Sequence, residues 1–280
     1  MPETDVAPGL WLVATPIGNL GDLSPRAGDV LRAADIVCCE DTRRTAPLLA
    51  RIGATPRRTI VVNEHTEHDV CGLVPGWIGS VVALVSDAGT PGISDPGERL
   101  VRAALDAGLP VHAVPGPAAF VAAAVTSGFP VARLAFEGFL PRSGSERRER
   151  LTEISRERRT VVLYEAPHRL ARTLADLAVA CGPDRRTVVS REITKMHEEH
   201  WRGTLAAAAA GGGPGADPRG EYVIVLAPAS RETGEADDAE IRRELDARLA
   251  AGLSMKDSVD EVTAALGVRR NRVYTIAVSP

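Results

Sequence analysis

Aromatic side chains are scarce in this chain: Phe, Trp and Tyr make up 4% of its 280 residues, while hydrophobic residues make up 44%. A core must therefore be built from Val, Leu and Ala, and that much apolar content excludes a disordered chain. Cysteine is sparse too. Cys38 and Cys39 are adjacent and cannot easily bridge, and Cys71 and Cys181 complete no CxxC spacing; the set reads as reduced, cytosolic thiols. No apolar run reaches membrane-spanning length, and the opening MPETDVAPG has neither the basic nor the apolar region of a signal peptide. The expectation is a cytoplasmic protein that does not engage a membrane. An excess of positive charge is also missing: the formal net charge of −4 gives no global pull toward nucleic acid, so RNA contact would require a local basic surface. Neither GxGxxG nor GxxxxGK[ST] is present, which counts against the familiar dinucleotide and nucleoside-triphosphate folds, and GxSxG and HExxH are missing as well.

What is present centres on LVSDAGTPGISDPG, Leu84 to Gly97. The apolar run Val81 to Val85 reads as a buried strand, and it empties into a loop held by Gly89, Pro91, Gly92, Pro96 and Gly97. Glycines admit a ligand close to backbone, prolines fix turns, and Asp87, Thr90, Ser94 and Asp95 offer polar atoms. A strand end, a rigid loop and a helix start form the usual ligand edge of an α/β sheet.

The surrounding chain repeats that rhythm. Strands are expected at Leu10–Ala14, Ile36–Cys39, Ile60–Val62, Val81–Val85 and Val111–Val114, with helices between them, one capped by Ser24 ahead of Pro25. This βαβα order predicts an α/β lobe with much parallel pairing, closing near Pro115–Pro117. A second α/β lobe follows, with a helix over Ala118–Ser127 and strands at Ala135–Phe139, Thr160–Tyr164, Thr187–Arg191 and Tyr222–Leu226. Ala206–Gly220 reads as a flexible surface loop and Ala229–Asp238 as a linker to a small helical module. The expected division is residues 1–117, 118–228 and 236–280. Four turns, Thr15–Asp22, Glu40–Arg44, Ser86–Gly97 and Pro115–Pro117, leave one edge of the first sheet and are expected to line one cleft.

The segments LVATPIGNLGDLS, CCEDTRRT, LVSDAGTPGISDPG, VPGPAAFVAA, FEGFLPR, YEAPHRL, REITKMHEE and GEYVIVL occur in that order, and SMKDSVDEVTAALGVRRNRVY follows near the end. Together they resemble the bacterial 16S ribosomal RNA (cytidine-2′-O)-methyltransferases, a family within the tetrapyrrole methylase superfamily. The resemblance implies a two-lobed α/β fold with S-adenosyl-L-methionine in the cleft between lobes, a homodimer, and methylation of a cytidine ribose in the decoding region of 16S rRNA within the 30S subunit. Matched motif by motif, it implies a cofactor pocket at Pro16, Asp87, Ala88, Gly89, Thr90, Ile93, Ser94, Ala118 and Ala119, closed from the second lobe by Tyr164, Glu165 and Glu192. The alternative within the superfamily is a tetrapyrrole or other small-molecule methyltransferase, for which a basic C-terminal module has no evident use.

A ribose hydroxyl is a poor nucleophile while protonated, so a base is sought near the cleft. Glu40 and Asp41 are the candidates, with Arg43 and Arg44 available for a phosphate; the competing reading makes Asp41 a helix cap and the arginines a solvated face. Glu64, His65, Glu67 and His68 suggest either a metal or a polar helix start. Lys195, His197, Glu198 and Glu199 read as an RNA contact or a solvated loop. The arginines between Arg142 and Arg159 are interleaved with glutamates, the mark of a solvated helix or an RNA surface. Lys256, Arg269, Arg270 and Arg272, beside Asn271 and Tyr274, suggest an RNA-docking module, against a plain helical cap or dimer element.

Overall fold

The computed structural model describes residues 6–212, 219–229 and 238–279. Five strands, β1 (Gly9–Val13), β2 (Ile36–Cys39), β3 (Arg58–Val61), β4 (Val81–Val85) and β5 (Val111–Val114), form a wholly parallel sheet in the order β3-β2-β4-β1-β5. Helices α1 (Pro25–Ala33), α2 (Thr42–Ile52), α3 (Glu67–Cys71) and α4 (Glu98–Asp106) connect them. Strand alternation explains the double coverage. Trp11, Val13, Ala83 and Val85 enter one core with Val30, Leu31 and Leu49, while Leu10, Val82 and Leu84 enter the other with Trp77, Leu100 and Ala104. With both faces covered, β4 is buried along its whole length, and its sequence is an unbroken apolar run. Ser24 caps α1 by accepting the Ala27 N–H at 3.1 Å.

The second sheet is mixed. Strands β6 (Leu134–Phe139), β7 (Thr160–Glu165), β8 (Arg186–Arg191), β9 (Glu199–Thr204) and β10 (Tyr222–Leu226) run in the order β6-β7-β10-β8-β9, with only β6 and β7 parallel. Helix α5 (Ala119–Ser127) packs on β7 and β10 from the side of the first lobe, where Ile17 and Ala88 join Ala123, Val162, Val188, Val223 and Val225 in a shared core. Helices α6 (Gly144–Arg156) and α7 (Leu170–Cys181), with the short α8 (Leu205–Ala207), cover the opposite face. Arg147, placed by sequence in a basic surface segment, is only 4% exposed: it donates to Asp176 at 2.8 and 2.9 Å and to the Thr173 hydroxyl at 3.0 Å.

Ala206–Gly212, expected in a flexible loop, continues from α8 as helix with Ala208 buried, as alanine's helix propensity favours. The rest of that loop up to residue 218, the linker residues 230–237 and the first five residues lie outside the described residues. Beyond them α9 (Asp238–Ala250), α10 (Met255–Leu266) and α11 (Arg270–Val278) close around their own core of Ile241, Leu245, Val259, Val262, Val273 and Ile276. Gly267 ends α10 in the left-handed conformation and turns the chain into α11.

Candidate active site

The carboxyl ends of β1, β2 and β4 and the start of α5 converge on a cavity of about 340 Å³ between the two lobes. Two main-chain hydrogen bonds lock its floor: Thr15 N–H donates to the Gly89 carbonyl at 2.8 Å and Gly89 N–H to the Thr15 carbonyl at 3.1 Å. Gly89 holds φ +85°, and a Cβ there would lie 3.3 Å from the Ile17 side chain, so only glycine meets both the turn and the crossing at no cost. The Thr90 hydroxyl donates to the Pro117 carbonyl at 3.0 Å and fastens the loop to the chain entering α5. Asp87 binds sideways, accepting the Asp41 N–H at 3.2 Å and the Arg44 guanidinium at 3.1 Å. Three of the four expected turns thus meet directly, and the fourth is tied in through Pro117.

The second lobe supplies the opposite wall: Phe139, Tyr164, Glu165, Ala166, Pro167, Ile193, Glu221, Tyr222 and Val223. The Phe120 N–H donates to the Tyr164 hydroxyl at 3.1 Å, which anchors this ring to α5. The cavity's carboxylates are poorly compensated. Burial, then the nearby Asp87 charge, raises the Glu40 carboxyl above its ordinary range. Burial, then the Glu40 charge, raises Asp95 to about 6. Such displacement of titratable groups in a cleft marks sites that meet charged ligands or move protons.

Asp87, Ala88, Gly89, Thr90, Ile93, Ser94, Ala118, Ala119, Tyr164 and Glu165 all line the cavity, as does Glu40. Four expected site residues stand elsewhere. Pro16 borders a neighbouring cavity of about 170 Å³ that shares Arg44 and Asp87. Glu192 is turned to its own loop, where its Oε1 accepts the Glu221 N–H and the Lys195 ammonium, both at 2.9 Å. Asp41 caps α2 by accepting the Arg43 N–H at 2.8 Å, and the 89% exposed Arg43 side chain folds back onto the same carboxylate at 2.8 Å. This pairing follows from the helix start, where a free N–H and the positive dipole end favour a carboxylate. Glu165 borders the cavity, yet its carboxylate is engaged by the Ala166 N–H at 2.8 Å, the Thr173 hydroxyl at 2.5 Å and Arg169 at 3.4 Å.

Glu67 is also turned inward, its Oε1 accepting the N–H groups of Gly97 and Arg99 at 2.9 and 3.1 Å. It caps α4 from a distance, and no grouping of His, Cys, Asp and Glu suited to a metal occurs among the described residues. Lys195 reaches Glu221 at 2.8 Å, tying its loop to the cavity rim, while His197 is exposed. Sequence reasoning missed Asp95 and Phe139 as wall residues, although both sit beside glycine-rich turns at strand ends. A larger groove, about 1480 Å³, separates the second lobe from the C-terminal helices. Its charged residues alternate in sign, with Arg156, Arg158 and Arg186 against Asp184, Glu240 and Asp260.

Residues 9–209 match the model of the Tetrapyrrole (Corrin/Porphyrin) Methylases, and the chain belongs to that family. Among curated proteins it is similar to the Ribosomal RNA small subunit methyltransferase I of Synechocystis sp., 41% identical over 96% of this chain and 97% of that one. The protein of the same name from Xylella fastidiosa is 49% identical over 78% of this chain and 80% of its own length. Among solved structures, a uroporphyrin-III C-methyl transferase from Thermus thermophilus complexed with S-adenyl homocysteine shares the fold at TM-score 0.55 and 20% identity, covering 78% of this chain and 97% of that one.

Proposed function

We propose that this protein is an S-adenosylmethionine-dependent methyltransferase of small-subunit ribosomal RNA, acting on a cytidine ribose 2′-hydroxyl of the assembled 30S particle in the cytoplasm. The observation that carries the reading is the carboxylate-rich interlobe cavity, considered together with relatives at 41% and 49% identity whose names specify the small subunit. The residues present suit the cofactor. A sulfonium cation would meet Asp87, Glu40 and Asp95, whose raised carboxyls show that negative charge there lacks full compensation. The adenosine would lie against Ala118, Ala119, Ile193 and Val223, with the Gly89 backbone approachable at close range. When bound, the cofactor supplies an electrophilic methyl group; the protein's contribution is to exclude water and to align the acceptor, an effect worth up to about 7–11 kcal/mol.

In this reading Glu40 faces the reaction, while Asp41 and Arg43 hold the start of α2 and leave the neighbouring Arg44 at the cleft rim. A phosphate of the RNA backbone would approach there. The C-terminal helices serve RNA docking through Arg269, Lys256 and the exposed Tyr274. A homodimer would cover Val121 and Val125, which lie a helical turn apart on α5 and are 46% and 64% exposed. The test is incubation of the protein with radiolabelled S-adenosylmethionine and 30S particles lacking the modification, followed by nucleoside analysis. One 2′-O-methylated cytidine is expected; no label in the RNA, or label on a base carbon or nitrogen, would reject the reading.

A further inference from the structure

The two lobes touch at an unusual point. Gly138, near the end of β6, holds φ +59°, and a Cβ there would come within 3.1 Å of the Ser94 hydroxyl. Ser94 is itself left-handed at φ +61°, a costly state for a residue with a side chain. The pairing of β6 with β7 shifts register between Phe136 and Gly138. Such a bulge re-aims the side chain that follows it. Here that side chain is Phe139, which lines the cavity yet is 49% exposed. Its ring lies 5.6 Å from that of Tyr164, a tilted contact that fixes its position. On the other side of the junction the residue after Ser94 is Asp95, which lines the same cavity and lies close enough to Tyr164 for its charge to raise that phenol. Strained backbone in both lobes thus presents an aromatic face and a carboxylate on either side of Tyr164, at the mouth of the cleft.

We propose that Asp95 and Phe139 form the acceptor side of the cleft: the base of the target nucleotide stacks on Phe139, and Asp95 takes the proton of its ribose 2′-hydroxyl. The inference rests on the methyltransferase reading above. Single-stranded RNA bases are commonly recognised by stacking on exposed aromatic rings, and a base entering from solvent needs a ring that is itself half exposed. Phe120 and Phe136 are packed inside the shared core and cannot serve. Asp95 suits proton transfer better than Glu40 does. The charged groups acting on Asp95 are the carboxylates Glu40 and Asp87, whereas Glu40 is partly offset by Arg44. In the step itself, an oxygen lone pair forms the new O–CH3 bond as the S–CH3 bond breaks and its electron pair stays on sulfur. The hydroxyl proton passes to the Asp95 carboxylate, so a sulfonium and an alcohol become a thioether, a methyl ether and a protonated acid.

The experiment compares wild type, Asp95→Asn and Phe139→Ala for methylation of unmodified 30S particles under single-turnover conditions and for S-adenosylhomocysteine affinity by calorimetry. Asp95→Asn should slow transfer about a hundredfold or more with cofactor affinity within about threefold of wild type. It should also abolish the acid limb near pH 6 that wild type shows, a limb shaped by Asp95 together with Glu40, Asp87, Arg44 and Tyr164. Phe139→Ala should raise the 30S concentration needed for half-maximal rate about tenfold, with Phe139→Trp restoring it. Near-wild-type rates in Asp95→Asn, or cofactor affinity lost in either variant while transfer at saturating cofactor is unchanged, would overturn the inference. Absence of transfer by wild type would instead reject the broader reading.

Discussion

The two lobes reach a common cleft by opposite routes. The first is a parallel sheet covered on both faces, so all of its strands point their carboxyl ends the same way and its turns gather at one edge. The second is mostly antiparallel, and no single edge collects its loops; it meets the cleft with one face of the sheet, through Tyr164, Tyr222 and Val223. The consequence is a division of labour. Backbone turns and carboxylates come from the first lobe, and most of the apolar and aromatic wall comes from the second.

That division can be broken from either side. The largest effect is expected in the second lobe, where Arg147→Met removes a buried guanidinium and strands its partners Asp176 and the Pro141 carbonyl. A loss of about 3 kcal/mol in urea unfolding is expected. In the first lobe, Glu67→Ala uncaps α4 and releases Gly97, the last residue of the glycine-rich loop. About 2 kcal/mol of stability should be lost, with weaker S-adenosylhomocysteine binding measured alongside. Asp95→Asn should have the opposite sign. Folding holds the Asp95 carboxyl at about 6, so its ionisation disfavours the folded state at higher pH and has no such effect below about pH 4, where both states are protonated. Thermal unfolding should show the variant more stable by about 1–2 kcal/mol at pH 8, allowing for screening at the open cleft, and the gain should vanish at acid pH. Smallest is Asp41→Ala, which removes the cap of α2 and should cost about 1 kcal/mol in the same assay.

The same contrast governs what the sequence reveals. β4 and β5 were legible to the residue because a strand buried on both faces, or ending in Pro-Gly-Pro, has few alternative readings. β9 was not, since EHWRGT lies on an edge, pairs only with β8, and needs no apolar run. The wall positions in Asp87–Ser94 followed from glycine and proline, whose backbone demands are local. Asp41 and Arg43 could not be placed so, because two neighbouring charges satisfy each other at a helix start as readily as they face a ligand. Phe139 depended on a register shift between strands, which is a property of the sheet and leaves little trace in AFEGF beyond its glycine.

The most direct test of the interlobe site is a crystal structure of the protein with S-adenosylhomocysteine. The ligand is expected between the Asp87–Ser94 loop and Tyr164, with its adenosine against Ala118 and Ala119. Ligand density in the larger groove between the second lobe and the C-terminal helices, with the interlobe cavity empty, would contradict the account.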